Sequence, residues 1–314
     1  MKVLVTPTSF RPGDPALAEL GPPGGTVVFN PHGRPLGEDE LIPLLEGCEG
    51  YIAGLDFITG RVLDAAAGLK VISRYGAGVD RIDLAATRAK NITVCNTPGV
   101  NAQAVADLAM GLLLSVVRKI PLLDKKIREG QWPRSTGTEL YGKTMGVLGL
   151  GAVGRALAER AKGFSMAVIA HDPCIDRRYA EEHGIAAAGF NEVIEKADFI
   201  SLHLPLTAGT RRVISRDVME RMKKGAVIIN TARGGLVDED AAAELLKSGH
   251  LGGAGIDVYE EEPPKKSPFF GLDNAVLTPH TASHTAEAAA AMAALSVRNL
   301  VDVLSGKPCP NVVA

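Results

Sequence analysis

Residues 144–172, TMGVLGLGAVGRALAERAKGFSMAVIAHD, decide the fold. Met145 to Leu148 reads as a short apolar strand, Gly149 to Gly154 as a glycine-punctuated turn opening an amphipathic helix, and Ala167 to Ala170 as a second strand that ends at Asp172. Gly149 permits the tight turn, Gly151 lets the backbone approach a pyrophosphate, and Gly154 lets the helix pack near the sheet. The N–H groups at the start of that helix and the positive end of its dipole face an anion there. Val153, Ala156, Leu157 and Ala161 give it the apolar stripe of a helix laid on a sheet. A lone G-x-G-x-x-G is weak; placed between a strand and a helix, with an acid 18 residues beyond Gly154, it predicts a dinucleotide site. A carboxylate at Asp172 accepts from ribose hydroxyls and repels a 2′-phosphate, so NAD is expected over NADP, with Arg177 and Arg178 as the opposing signal.

Working outward, short apolar runs recur at Lys2 to Val5, Thr26 to Phe29, Tyr51 to Ala53, Val71 to Ser73 and Ile92 to Cys95. They alternate with helical or turn-rich segments, which implies a parallel sheet flanked by helices. Pro12 to Pro15 and Gly21 to Gly25 read as loops within this array. Asn101 to Ile120 is a long helix too apolar all round for a surface position, so burial between domains or subunits is expected, with Asn96 to Gly99 as a crossover hinge. After the dinucleotide turn, strands follow at Asp198 to His203, Ala226 to Asn230, Ala254 to Asp257 and Ala275 to Thr278. The polar clusters sit at their carboxyl ends, the edge where open α/β sheets bind ligands.

The chain has 314 residues, 46% of them hydrophobic, enough for two domains with substantial cores. A formal net charge of −2 carries no basic footprint for nucleic acid and no polybasic membrane patch, which leaves a small molecule as the expected partner. No apolar run approaches a membrane span and MKVLVTPTSF lacks a signal-peptide core, so a cytoplasmic location is expected. Cys48, Cys95, Cys174 and Cys309 show neither metal-ligand spacing nor disulfide density, and read as reduced thiols.

Three residues after strand ends have the chemistry to reduce a 2-oxo acid. Arg233 suits a carboxylate clamp, since its guanidinium fork stays protonated. His280 suits the proton shuttle, and Glu262 suits the group that orients the imidazole and favours its charged form. Each also has a plain structural reading: Arg233 as a turn residue beside glycines, Glu262 in a solvated acidic run, His280 as a surface histidine. His284 lies four residues after His280, but without a third ligand or an H-E-x-x-H pattern no metal site is expected. His203 reads as structural. In SRYGAGVDRID, residues 73–83, the glycine-broken loop offers either a nest of N–H groups for a carboxylate or a plain turn.

RYGAGVDRIDL, NTPGVNAQAVADLA, GTELYGKTMGVLGLGAVGR, SLHLPLT, NTARGGLVDEDA, GAGIDVYEEEPP and LTPHTAS together resemble, in order, the consecutive signatures of the D-isomer-specific 2-hydroxyacid dehydrogenases, and most closely their 3-phosphoglycerate dehydrogenase branch. The resemblance implies two Rossmann-like or flavodoxin-like, doubly wound parallel-sheet domains with the active site in the cleft between them. It implies a discontinuous substrate domain, 1–98 with 285–314, and an NAD-binding domain, 99–284. It implies Arg233, Glu262 and His280 as the catalytic trio. Cofactor contacts are implied at Gly149, Gly151, Ala152, Val153, Gly154, Asp172, Leu204, Pro205, Thr231, Ala232, Asp257, His280, Ala282 and Ser283, with Asp257 on the nicotinamide carboxamide. Ala77 and Gly78 would offer backbone to the substrate carboxylate beside Arg233 and His280, and a homodimer or higher homo-oligomer is implied, through the helix at Asn101 to Ile120 and the arm after it.

Two departures from the family pattern bear on cofactor and substrate. Ala152 stands where many relatives carry arginine, which leaves the pyrophosphate to backbone and dipole. The arginine that phosphoglycerate-specific relatives place near Thr59 is missing from Gly54 to Ile58, where Asp56 is expected to repel a phosphate; Arg61, Arg74 and Arg134 are the possible substitutes. The expected function is therefore interconversion of a D-2-hydroxy acid and its 2-oxo acid with NAD. 3-Phosphoglycerate is the first candidate substrate, a glyoxylate or hydroxypyruvate reductase the same-class alternative, and a non-catalytic NAD(H)-sensing interaction protein the different-class one.

Overall fold

Apolar runs of three to six residues, bounded by glycine, proline and asparagine, are too short for helices and pair instead as strands. A computed structural model describes residues 1–20 and 25–314; the loop expected at Gly21 to Gly25 thus lies, for residues 21–24, outside the described residues. The chain divides into two compact units, Met1–Asn101 with Thr285–Ala314, and Ala102–His284.

In the first unit, β1 (Lys2–Val5), β2 (Thr26–Phe29), β3 (Gly50–Ala53), β4 (Val71–Arg74) and β5 (Thr93–Cys95) form a parallel sheet in the order β2-β1-β3-β4-β5. β3 and β4 are buried along their whole length, as central parallel strands covered on both faces should be. The order reverses between β1 and β3, which puts the loops after Val5 and Ala53 at the switch point. The C-terminal helix Ala286–Leu304 packs on this sheet, with Leu300 filling the space a side chain at Gly50 would need. Its N-terminus is capped by Thr285, whose hydroxyl accepts from the Ala288 N–H at 3.1 Å.

In the second unit, β6 (Thr144–Leu148), β7 (Ala167–His171), β8 (Ala186–Ala187), β9 (Phe199–Leu202), β10 (Ala226–Asn230), β11 (Leu251–Ile256) and β12 (Ala275–Leu277) form a parallel sheet in the order β12-β11-β10-β9-β6-β7-β8. Six of these strands repeat the doubly wound order of dinucleotide-binding sheets, extended by β12. The switch point falls between β6 and β9, beside the glycine turn.

The apolar helix is a correction in two respects. It spans Ala102–Val117 and a second helix, Ile120–Arg128, begins after Lys119 turns left-handed at φ +54°. Pro121 lacks the N–H that a continuous helix would need there. The first helix is buried in the core of its own unit rather than requiring a partner: Leu112, Leu113 and Val116 pack with Val147, Leu157 and Ile229. It lies on β11, where a Cβ at Gly253 would stand 2.3 Å from Val116 and one at Gly255 2.9 Å from Leu112. That close approach explains a strand begun by glycines, Leu251–Ile256, longer than the expected start at Ala254.

Candidate active site

Each residue of the expected cofactor site follows a strand of the second unit. Gly149 leaves β6 at φ +99°, and a Cβ there would sit 2.6 Å from the carbonyl oxygen of His203, so the turn after β6 and the end of β9 meet backbone to backbone. At Gly154 a Cβ would come within 2.0 Å of the Gly149 carbonyl, which makes glycine obligatory inside the helix Ala152–Gly163. Gly151 caps that helix, and a Cβ on it would meet no protein atom within 4 Å. Open space thus lies directly before the first turn of a twelve-residue helix, flanked by the exposed Gly151 and Ala152.

Asp172 ends β7 and accepts at Oδ2 from the Leu150 N–H and at Oδ1 from the Cys174 N–H, both at 2.8 Å. It therefore fixes the glycine turn from the neighbouring strand, and each oxygen keeps a second lone pair for a ribose hydroxyl. Arg155, one turn into the helix, is engaged elsewhere: its guanidinium donates to the Leu150 carbonyl and Asp176 and lies 3.9 Å over the Tyr179 ring. Arg178 pairs with Glu182. Leu204 is buried and Pro205 exposed just past β9. Thr231, just past β10, is buried, and its hydroxyl has no hydrogen-bond partner among the described residues. A buried orphan hydroxyl is costly unless something else bonds it. Open space at a helix N-terminus, a two-oxygen acid on the next strand and this orphan hydroxyl are the features a dinucleotide requires, and the residues fit NAD.

The catalytic candidates come together in the same unit. Asn230, the last residue of β10 and 1% exposed, accepts from the Ala232 N–H at 3.1 Å and donates to the Arg233 carbonyl at 2.8 Å, clamping the turn that presents Arg233. The next residue, Gly234, touches the backbone of Tyr259 so closely that a Cβ would stand 1.9 Å from its carbonyl carbon. The arginine turn and the acidic loop after β11 are thereby pressed together. In that loop Glu262 accepts from the Tyr259 N–H at 3.1 Å with Oε1, and its Oε2 lies 2.9 Å from His280 Nδ1. The Glu262 side chain is 10% exposed and that of His280 23%, a largely buried carboxylate–imidazole pair open on one side. A proton held on Nδ1 toward the carboxylate leaves Nε2 as the nitrogen for a substrate.

Asp257 has a further task beyond the one expected. It is fully buried, accepting from Thr278 Oγ1 at 2.6 Å, the Thr281 N–H at 2.9 Å and the Ala282 N–H at 3.0 Å. Its carbonyl accepts from the His280 N–H at 2.7 Å, and His280 itself sits at φ +50°. Asp257 thus holds the segment 278–282 in the conformation that presents the imidazole, with Ser283 half-buried behind it. Tyr259 adds a brace by donating to the Thr278 carbonyl at 2.9 Å, and burial pushes its phenol up to about 12, so it stays a donor. Asn230, Gly234 and Tyr259 are functional supports that sequence reading missed. The asparagine at a strand end was the one signal available.

In the first unit Ala77 and Gly78 follow β4. Asn96 Nδ2 donates to the Ala77 carbonyl at 2.7 Å and Arg74 Nε to the Gly78 carbonyl at 3.1 Å, which fixes the loop after β4 from its carbonyl side. The expectation about Asp56 is corrected. It is 1% exposed and accepts from Tyr51 and Thr6 hydroxyls and from the Leu36 N–H, so its carboxyl is turned into the unit rather than exposed on the loop. Of the proposed substitute arginines, Arg61 pairs with Glu38 and Asp39, Arg74 is buried against backbone carbonyls, and Arg134 is exposed in the second unit. Arg81 is the residue that reaches the 54–58 loop: it donates to the Leu55 carbonyl at 2.8 Å and lies 4.7 Å over the Phe57 ring.

Residues 110–282 match the family model described as D-isomer specific 2-hydroxyacid dehydrogenase, NAD binding domain. The chain is 45% identical over 259 residues to the D-3-phosphoglycerate dehydrogenase of Methanocaldococcus jannaschii, a match covering 82% of this chain and 49% of that protein. It is 41% identical over 323 residues to the glyoxylate reductase of Thermofilum pendens, covering 99% of this chain and 94% of the relative. The chain therefore spans about half the length of the first relative and nearly all of the second. Among solved structures, the TT0316 protein of Thermus thermophilus superimposes over the full length of both chains with a TM-score of 0.89 at 40% identity. No helix among the described residues is long and apolar enough to cross a membrane. Sheet order, glycine turn and family match agree, and the chain belongs to the D-isomer specific 2-hydroxyacid dehydrogenases, a family of NAD-dependent oxidoreductases.

Proposed function

We propose that this protein interconverts a D-2-hydroxy acid and its 2-oxo acid, with 3-phosphoglycerate as the first candidate substrate. The observation that carries the reaction is the 2.9 Å contact between His280 Nδ1 and Glu262, on loops fixed beside the Arg233 turn. In the reducing direction Arg233 binds the substrate carboxylate through its guanidinium fork. His280 donates the Nε2 proton to the carbonyl oxygen and takes it back in the oxidising direction, while Glu262 compensates the imidazolium charge. NAD, when bound, accepts or returns the hydride. Leu150 to Gly154, Asp172 and Thr231 hold it, and the backbone of Ala77 and Gly78 binds the carboxylate.

Support for a phosphorylated substrate comes from Arg81, whose guanidinium lies against the 54–58 loop. The second reading, glyoxylate or hydroxypyruvate reduction, is favoured by the 94% coverage of a glyoxylate reductase. Cofactor oxidation and reduction against a panel of 2-oxo and 2-hydroxy acids distinguishes them. A highest kcat/KM for 3-phosphoglycerate supports the first reading; a highest value for glyoxylate or hydroxypyruvate replaces it with the second; cofactor binding without turnover on any acid refutes both. In the same panel His280→Ala should lower kcat by roughly 10²-fold or more while NAD binding survives.

We also infer a homodimer. Ile120, Ile127, Trp132 and Tyr141, on and after the helix Ile120–Arg128, are 50%, 50%, 83% and 74% exposed, and this helix buries no residue within the chain. Light scattering that gives a monomer mass at micromolar concentration refutes the dimer.

A further inference from the structure

Residues 309–314 cover the outer edge of the first unit's sheet. β5 is the edge strand of the first unit, and the tail runs antiparallel beside it: Val94 N–H donates to the Ala314 carbonyl at 2.6 Å, Val313 N–H to the Val94 carbonyl at 2.8 Å, and Asn96 N–H to the Asn311 carbonyl at 3.1 Å. This pairing carries Cys309 to the end of β5, where its Sγ lies 3.5 Å from Cys95 Sγ. Cys95 is fully buried and Cys309 is partly exposed. The other two cysteines are placed differently: Cys48 is buried with its thiol on the Leu44 carbonyl, and Cys174 is exposed after β7.

We propose that Cys95 and Cys309 are a reversible oxidation site, at which a peroxide links the two thiols into a disulfide that latches the tail to β5. Cys309, the partner that solvent reaches, is the one a peroxide meets first. Its thiolate attacks one peroxide oxygen, the O–O bond breaks, and the leaving oxygen departs as water after taking up a proton. This leaves a sulfenic acid on Cys309. Cys95 then attacks the Cys309 sulfur, the S–O bond breaks, and the Cys95 proton leaves with that oxygen as a second water. Two thiols and one peroxide become one disulfide and two waters, the sulfurs losing two electrons and the peroxide gaining them. Burial and the neighbouring Cys309 push the Cys95 thiol up to about 12, which suits it to keep its proton until the second step and makes it a poor first nucleophile.

The site is connected to the loop that holds Ala77. Cys309 Sγ donates to Asn299 Oδ1, which also accepts from Asn311 Nδ2 at 2.9 Å. Asn299 is 1% exposed and donates to the Asn96 carbonyl at 2.8 Å, and the Asn96 side chain donates to the Ala77 carbonyl at 2.7 Å. Formation of the disulfide removes the thiol hydrogen bond at Asn299, which reaches that loop through Asn96.

The test is oxidation of the whole protein with a small molar excess of hydrogen peroxide, followed by thiol counting and non-reducing peptide mapping by mass spectrometry. The expected product is a Cys95 peptide joined to a Cys309 peptide, two hydrogens lighter than the sum, lost on treatment with a dithiol reductant. Carboxypeptidase should trim the C-terminus more slowly in the oxidised protein than in the reduced one. Cys309→Ser should abolish the linked peptide and the change in trimming, and Cys174→Ser should preserve both. Cys95 and Cys309 remaining as free thiols while Cys174 is fully oxidised would overturn the proposal. So would a Cys309 that goes on to sulfinic acid with Cys95 still free, since a partner in attacking position intercepts the sulfenic acid first.

Discussion

Replacing Asp257 by asparagine tests whether one buried carboxylate holds the proton donor in place. Asp257 receives three donors: Thr278 Oγ1 and the Thr281 N–H on Oδ1, and the Ala282 N–H on Oδ2. Asparagine has almost the same shape but one oxygen and one NH2 group. Its better orientation keeps Thr278 and Thr281 and turns the NH2 against the Ala282 N–H, donor to donor. Hydrogen bonds to a charged group contribute about 1.5–3 kcal/mol each and neutral ones about 1 kcal/mol, so losing one and weakening two removes about 4 kcal/mol of gross interaction. Removing a fully buried charge returns part of that, since its desolvation no longer opposes folding. A net loss of about 2 kcal/mol for the ordered 278–282 segment is a factor of roughly 30 in its population. Asp257→Asn should therefore reduce kcat by roughly ten- to thirty-fold and weaken NAD. The melting temperature should fall by no more than about 8 °C if the whole loss is felt by the 183-residue second unit, and by less if the segment loosens locally. Steady-state kinetics and thermal unfolding measure both. A variant with unchanged kcat and unchanged NAD affinity shows that the segment needs no anchor at Asp257, and the reasoning fails.

Two further outcomes follow from other residues. Asp172→Ala removes the oxygens that fix the Leu150 N–H and that we propose bind the ribose, so NAD should bind more weakly and the gap to NADP should narrow; fluorescence titration with both cofactors showing an unchanged ratio would place ribose recognition elsewhere. His203, bonded through Nε2 to Ser201 Oγ at 3.0 Å, is pushed down to about 4 by burial. With the folded value below the unfolded one near 6.5, the unfolded chain binds the proton more readily, so stability is lost as pH falls from about 6.5 toward 4. The ceiling is about 3 kcal/mol, nearer 2 kcal/mol because His203 is partly exposed. Denaturant unfolding of His203→Gln should show that much less acid sensitivity across this window, and equal slopes for both proteins would refute the assignment.

The fold was legible where a local pattern is enough. Ala226–Asn230 and Lys2–Val5 are apolar runs bounded by breakers, and the strands have those bounds. The glycine turn was legible for the same reason, since Gly149, Gly154 and Asp172 act within one βαβ unit. What escaped depends on partners far away in sequence. Asp56 reads as an exposed loop acid until Thr6 and Leu36, 50 and 20 positions away, are seen to join the nearby Tyr51 around it. Gly253 and Gly255 weaken a strand signal because their role is to admit a helix some 140 residues earlier in the chain. Likewise Cys95 and Cys309 are 214 positions apart, and spacing alone made them two scattered thiols.

The same distinction applies inside the candidate site. Arg233, Glu262 and His280 were candidates from residue type and strand-end position, each with a plain structural reading beside it, and it was the family resemblance that implied them as a trio. What makes them a unit is the contact between Gly234 and the Tyr259 backbone, together with Asp257 holding both ends of the segment around His280. A side chain at position 234 would push the arginine turn off the acidic loop, since the atoms it meets first are the backbone of Tyr259 and Glu260. Gly234→Ala is accordingly the substitution that separates chemistry from assembly. All three proposed catalytic side chains remain, yet a Cβ 1.9 Å from a carbonyl carbon cannot be relieved by rotating a side chain, so the backbone must move. Loss of kcat with NAD binding retained is the expected result. Wild-type turnover in that variant would mean that the trio does not depend on the two loops being in register.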